Sequence, residues 1–155
     1  MGKTPTPYPI HPEDSDHGSE GADQYFFQRP SNLVAEPGEI WTRTVHLGET
    51  KDLFGFMGYN QADVAELMEV DPSTLVRWKK EDRLLTRLLT KTVMDMDKII
   101  AKGIRIFGSE KLLSDWLQAR NHALGDQRPA DLMRNPYGLE LVDEALDAMS
   151  WGVVL

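Results

Sequence analysis

The sequence predicts an all-α fold, in which a helix-turn-helix bundle is joined by a long helix to a small helical C-terminal domain. Three observations predict it. From about Thr50 onward, apolar residues recur at spacings of one, three or four, which is the periodicity of amphipathic helices. Capping residues and prolines stand where these segments begin, and glycines where several of them end. Two of the short segments are separated by a turn of three residues.

The first 45 residues form an N-terminal extension without a predicted regular element. Residues 1–24 contain four prolines, many acids and few apolar side chains, so they bury too little surface to offset the entropy of ordering, and we expect disorder. Residues 25–41 contain the run "YFF" and Trp41 between prolines and a glycine. We expect an irregular segment whose rings dock on the domain or on a partner.

Residues 46–106 are expected to form the helix-turn-helix and the long helix. The first part of this range has three short helical segments, "TKDLFGFMG", "NQADVAELMEV" and "PSTLVRWKK". Residues 42–49 show no clear pattern. Asn60 is a good N-cap with Asp63 at the third helical position. Asp71 precedes Pro72, and proline is preset for the first residue of a helix.

A long amphipathic helix of about five turns is predicted next, and Gly108 ends it. Its apolar stripe consists of Leu85, Leu88, Leu89, Val93, Met96, Ile100, Ile104 and Phe107.

Residues 107–155 are expected to form the C-terminal domain. Ser109 caps the helical segment "EKLLSDWLQA", "RNHALGDQ" is a turn, and Pro129 begins the short helix "PADLM". A last amphipathic helix, "LELVDEALDAM", leads into the apolar end "SWGVVL".

The two short helices that precede the long one have the offsets of a DNA-reading helix-turn-helix. Ala65 is the small residue at the expected crossing, and Leu75 and Trp78 lie on the inward face of the second helix. The outward side chains are expected to reach base edges and phosphates, and Gln61 at the start of the first helix to touch the DNA backbone. The predicted DNA-binding residues are Gln61, Ser73, Thr74, Arg77 and Lys80.

Charge both supports and opposes this interpretation. The chain has a net charge of −8, yet residues 71–91 contain six basic and three acidic residues, a local basic footprint on an acidic body. Glu69 stands where such turns usually have glycine, and Asp71 stands at the groove entrance, where it would face phosphates. A helical hairpin that only belongs to the core is the alternative.

The stretch "FGSEKLLSDWLQARNHALGDQRPADLM" resembles the C-terminal toxin-binding domain of the Xre/MbcA/ParS antitoxin family. The resemblance covers about residues 59–155 and includes the close "WGVVL". His122 and Arg128 depart from it, since that family usually has proline and threonine there. The matching positions are Phe107, Gly108, Trp116, Leu117, Asn121, Ala123, Leu124, Gly125 and Pro129.

This resemblance implies a bacterial antitoxin that is not itself an enzyme. Its implied partners are a RES-domain toxin that degrades NAD and the promoter DNA of its own operon, bound as a homodimer or a higher toxin–antitoxin assembly. The apolar chain end is expected either to fold back on the long helix or to enter the toxin's cleft. The implied toxin-binding residues are Trp116, Asn121, Leu124, Gly125, Trp151, Gly152, Val153, Val154 and Leu155.

Other chemistry finds little support in the sequence. The four histidines lack metal-ligand spacing, and no serine stands in a nucleophile elbow. We therefore expect no metal, no cofactor and no catalytic residue. The acids of two helices are expected to lie on solvated faces, namely Asp95 and Asp97 on one and Asp143, Glu144 and Asp147 on the other. The absence of cysteines and of an apolar run of membrane-spanning length favours a cytoplasmic protein without a membrane partner. A stand-alone helix-turn-helix transcription regulator without a toxin partner is the alternative function.

Overall fold

The computed structural model describes residues 24–27 and 44–152. The predictions for residues 1–23, for Trp41 and for Val153, Val154 and Leu155 therefore lie outside the described residues.

Seven α-helices follow one another in the described part of the chain, so the all-α prediction is confirmed. A 3₁₀ turn, Leu47–Thr50, runs directly into the first of them. The helices are α1 (Lys51–Met57), α2 (Gln61–Met68), α3 (Pro72–Glu81), α4 (Arg87–Phe107), α5 (Glu110–Gln118), α6 (Pro129–Leu132) and α7 (Pro136–Ser150).

The predicted caps are present at the helix starts. The Asn60 side chain accepts a hydrogen bond from the Asp63 amide, and the Asp63 carboxylate accepts one from the Asn60 amide, which satisfies two donors at the start of α2. Ser109 caps α5 as predicted, since its side chain accepts a hydrogen bond from the Leu112 amide. Gly108 ends α4 at a φ of 81°, a left-handed conformation that glycine adopts without a steric penalty.

Helix α4 is the centre of the core and packs mainly against α7 and α5. The side chains of Val93, Met96 and Ile100 are fully buried there. Two members of the predicted stripe differ. Leu85 is buried but precedes the helix, and Leu88 is 73% exposed because consecutive residues of a helix point about 100° apart and Leu89 takes the inward direction.

The crossing of α4 and α5 depends on Gly103. A Cβ at this position would lie 2.5 Å from Cδ1 of Leu113, so the small residue lets the two helices approach. Glycine weakens a helix interior modestly, but at this position it also has a packing role that the sequence pattern did not show.

The segment before α1 pairs with the connection between α3 and α4. The Leu47 amide donates to the Arg83 carbonyl and the Leu85 amide to the Val45 carbonyl, both at 2.8 Å. Val45 is buried. Residues 42–49, for which the sequence showed no clear pattern, thus include an anchor for the first helices.

Asp97 of α4 is completely buried, which contradicts the prediction that it lies on a solvated face. Its carboxylate accepts hydrogen bonds from the amides of Tyr25, Phe26 and Phe27, at 3.0, 2.7 and 3.1 Å. A carboxylate acceptor makes each of these bonds stronger than a neutral one. The aromatic run therefore docks on the protein's own domain, one of the two predicted possibilities.

The docked segment begins before the predicted boundary of disorder. The Gln24 amide lies 3.2 Å from the sulfur of Met94, and the ring of Phe26 packs against Phe56 of α1 with centroids 5.7 Å apart. Phe27 is buried in the main hydrophobic cluster. Gln24 was assigned to the disordered extension, and this assignment is wrong.

Candidate functional site

The turn between α2 and α3 has the geometry that the sequence predicts. Glu69 ends α2 in the left-handed conformation, at φ 57° and ψ 39°, where a non-glycine residue costs about 1–2 kcal/mol. Ala65 and Leu75 are buried between the two helices. The small residue and the inward leucine therefore pack as expected, and α3 keeps an outer face.

The outer face of α3 presents the two basic residues that the sequence singled out. Arg77 and Lys80 are exposed, and neither forms an ion pair with another described residue. Gln61 is exposed at the start of α2. These three side chains are available to a ligand.

Ser73 and Thr74 are engaged by the helix itself. Both hydroxyl groups donate to the carboxylate of Asp71, which also accepts from the Thr74 amide at 2.7 Å. The bond from Ser73, together with those from Thr74, lowers the pKa of Asp71 to about 2. A hydroxyl has one proton to donate, so neither residue can donate to a phosphate while it holds Asp71.

The predicted toxin-binding turn is held together by Asn121. This residue is buried; its side chain accepts from the Ala123 amide at 2.9 Å, and its backbone carbonyl accepts from the Asp126 amide at 2.9 Å. Gly125 closes the turn at a φ of 70°, and Leu124 is half-buried. Asn121 thus shapes the turn from inside, whereas Leu124 and Gly125 reach its surface.

The two departures from the family pattern lie on the surface, one within this turn and one just after it. His122 is exposed. Arg128 does not cap α6, and its guanidinium instead binds the carboxylate of Asp131 at 2.8 and 3.0 Å. A local ion pair takes the place of the missing threonine cap.

The ring of Trp116 packs against the protein's own domain. Its ring centroid lies 5.6 Å from that of Phe107, and its indole nitrogen is buried without a hydrogen-bond partner among the described residues. Trp116, a predicted toxin-binding residue, is half-buried, and part of its side chain packs against the domain's own core.

Trp151 points into solvent with 84% of its surface exposed. Gly152 follows at a φ of 86°. The alternative in which the chain end folds back on α4 is therefore wrong for Trp151. Its ring is free for a partner.

Sequence reasoning missed two exposed apolar residues on the last helix. Tyr137 is 82% exposed and Leu141 is 48% exposed. Their spacing of four places them on one face of α7. A signal for this was present in the sequence. The helix has apolar residues on more than one side, and Leu141 does not lie on the same side as the buried residues Leu139, Val142 and Leu146.

The helix pair and the C-terminal helices are tied together by polar contacts. Arg134, between α6 and α7, pairs with Asp63 of α2, and the Tyr59 hydroxyl donates to the Ala130 carbonyl at 2.7 Å. Burial raises the pKa of Tyr59 well above its usual value. The Gln118 amide donates to the Met57 carbonyl at 2.8 Å. The two candidate surfaces thus share one framework.

Metal-ligand clusters and membrane-spanning helices are both absent from the residues that the structure describes. No group of three or more histidine, aspartate or glutamate side chains there is arranged to hold a metal ion. Residues 24–27 and 44–152 also include no helix that is long and apolar enough to cross a membrane.

The architecture defines an all-helical protein in which a helix pair with a basic outer face is packed on a C-terminal group of short helices. The C-terminal group is similar to a domain of known family. Residues 102–152, from within α4 to the end of the described chain, match the model of the antitoxin Xre/MbcA/ParS C-terminal toxin-binding domain. This match confirms the resemblance over residues 102–152, where the chain is similar to the toxin-binding domain of that antitoxin family.

Among solved structures, the chain is similar to a chain in the crystal structure of the M. tuberculosis MbcT–MbcA toxin–antitoxin complex. The two are 21% identical, with 68% of this chain and 94% of that chain covered and a TM-score of 0.46. No curated protein matches.

Proposed function

We propose that this protein is the antitoxin of a type II toxin–antitoxin system, and that it binds and neutralises a RES-domain toxin that degrades NAD. The observation that carries the proposal is the family match over residues 102–152. In this proposal the protein acts in the cytoplasm as an inhibitor and a DNA-binding protein, not as an enzyme.

Inhibition is assigned to the C-terminal helices. Trp151 lies near the end of the matched region and is exposed. Tryptophan side chains often contribute a large share of the binding energy when a partner buries them. The turn at Leu124 and Gly125 adds a second exposed part of the same domain. Covering a cleft with such groups excludes substrate without any chemistry by the antitoxin.

Repression of its own operon is assigned to α2 and α3, as a helix-turn-helix. The support is geometric: the turn at Glu69 packs α2 on α3, and Arg77 and Lys80 are left exposed and unpaired among the described residues. A chain with a net charge of −8 binds DNA weakly as a single copy. A homodimer or a toxin–antitoxin assembly would present two α3 helices at half-site spacing and so double the basic footprint.

The proposal predicts that a RES-domain protein is encoded beside this chain, and the decisive experiment is co-expression of the two proteins in bacterial cells. We expect the RES-domain protein alone to deplete cellular NAD and stop growth, and the wild-type chain to restore both. The Arg77→Ala/Lys80→Ala variant is the matched control, because it should lose promoter binding and still restore NAD. NAD depletion that the wild-type chain does not prevent, at equal expression, would overturn the proposal.

A stand-alone transcription regulator is the second candidate, and the unpaired Arg77 and Lys80 favour it equally. In that case the chain binds a promoter in vitro without any toxin present. Purified wild-type chain that represses transcription fully and binds no RES-domain protein would support the regulator.

A further inference from the structure

The outer face of α7 has an apolar stripe that no other described element covers. The stripe, called the α7 stripe below, consists of Tyr137, Leu141, Ala148 and Trp151, with exposed Glu144 among them. At about 100° per residue these five positions fall within an arc of about 80°, and at about 1.5 Å per residue they span about 21 Å.

The exposure of this stripe is unusual for three large side chains, two on α7 and the third at the residue that ends it. Tyr137, Leu141 and Trp151 are 82, 48 and 84% exposed. A single exposed apolar residue is ordinary, but an aligned set marks an interaction surface. Each buried aromatic ring removes about 150–250 Å² from water. The stripe also lies within residues 102–152, the region that matches a toxin-binding domain.

We infer that the α7 stripe docks in an apolar groove of the toxin, and that this groove has a cationic side chain near its middle. The inference rests on the proposed function, because it specifies the surface and the chemistry of the contact with that partner. The position of the cation follows from Glu144, which lies halfway between Tyr137 and Trp151 along the helix.

Glu144 argues against a second copy of this chain as the occupant. In a twofold-symmetric pairing of α7 with its own copy, whether parallel or antiparallel, the midpoint residue meets itself. Glu144 would then face Glu144 across a closed apolar interface, and burying two like charges is strongly unfavourable. The net charge of −8 on each copy adds to this repulsion.

The acids beside the stripe favour a partner with basic groups. Asp143 and Asp147 share Lys102 as their cation, and its ammonium lies 2.6 and 2.7 Å from their carboxylates. Glu140 and Glu144 are exposed and form no ion pair with another described residue. Two unneutralised carboxylates next to a row of apolar side chains fit a groove that supplies a lysine or an arginine.

The test measures the affinity of this chain for a catalytically inactive form of the RES-domain toxin that the proposed function assigns to it. Tyr137→Ala/Leu141→Ala should weaken binding by at least about tenfold, and Glu144→Lys by a similar factor, as expected for central interface residues. Leu84→Ala is the matched control, because Leu84 is 51% exposed but lies between α3 and α4. It should change affinity by less than about threefold.

The outcomes separate the inference from the proposed function. Tight binding by the wild-type chain together with unchanged binding by the α7 variants would overturn the inference and leave the function intact. A wild-type chain that binds no RES-domain protein would overturn both. A wild-type dimer that Tyr137→Ala dissociates would assign the stripe to a second copy and also overturn the inference.

A second measurement guards against misfolded variants. A photoreactive amino acid placed at position 137 should cross-link the RES-domain protein in cells, whereas the same group at position 84 should not. Because Tyr137 is 82% exposed, replacing it leaves the core intact. Absence of a cross-link at 137, with the complex still forming, would overturn the inference.

Discussion

The guanidinium of Arg134 pairs with the carboxylate of Asp63, and this contact joins the connection between α6 and α7 to the start of α2. Both side chains are about one-fifth exposed, so the pair is partly shielded from solvent. Asp63 also caps α2 through the Asn60 amide. One carboxylate therefore serves both the helix start and the joint between the two candidate surfaces.

Replacing Arg134 should destabilise the whole protein. In Arg134→Met, Asp63 stays partly buried without its cation, and we expect a loss of about 1–3 kcal/mol in the free energy of unfolding, measured in urea. Arg128→Met is the control, because its pair with Asp131 is local and more exposed, and exposed pairs contribute little to stability. Equal effects of the two changes would contradict this prediction.

The three amides on Asp97 predict a strong effect from a nearly isosteric change. Asp97→Asn removes the charge and turns a donor toward the amides of residues 25–27, so we expect a loss of about 2–4 kcal/mol and faster hydrogen exchange of these amides. Asp95→Asn is the control, because Asp95 makes an exposed pair with Lys91 on the same helix. Protected amides in Asp97→Asn would show that docking does not depend on the carboxylate.

Promoter binding should separate the roles of two basic residues on α3. If Arg77 reads a base edge, Arg77→Ala should cost about 1–3 kcal/mol on the preferred site, whereas Lys80→Ala should weaken all sequences alike and lower the salt slope by about 1. Titrations at several salt concentrations distinguish the two effects. Unchanged affinity of a folded Arg77→Ala protein would favour the helical hairpin that belongs only to the core.

The cap at Asp71 predicts a pH-dependent stability. Hydrogen bonds from Ser73 and Thr74 hold the pKa of Asp71 at about 2, below the ordinary value for an aspartate. A carboxyl with a lowered folded-state pKa stabilises the fold above its unfolded pKa and loses this contribution as the pH falls through the folded value.

Asp71→Asn is the comparison that isolates the charge, since asparagine is also a good N-cap. The difference in melting temperature between wild type and this variant should be fully present at pH 7 and should shrink between about pH 4 and pH 2. A difference that stays constant down to pH 2 would show that the charge does not stabilise the helix start.

The chain end after Trp151 should matter for inhibition and not for folding. Deleting residues 152–155 removes no buried described residue, so we expect an unchanged melting temperature and unchanged DNA binding. Protection from the co-expressed RES-domain protein should fall. Full protection by the truncated chain, at equal expression, would place the inhibitory contacts on the α7 stripe or on the turn at Leu124 and Gly125.

The sequence by itself determined the helices, because the signals for them are local. Apolar spacing, the caps at Asn60, Asp71 and Ser109 and the glycine at 108 each act within a few residues, and the helices begin at or within a few residues of the predicted positions. The family of the C-terminal domain was also readable from a continuous stretch of the chain.

Only the tertiary structure decided which polar groups are buried and which apolar groups are left uncovered. Asp97 and Asp95 have the same side chain two residues apart, yet Asp97 is buried because amides 70 to 72 residues earlier reach it. Arg134 finds Asp63 across 71 residues. Tyr137 and Leu141 are uncovered because α4 takes the opposite side of α7. Such pairings depend on how distant elements pack, and no local pattern encodes the identity of a partner so far along the chain.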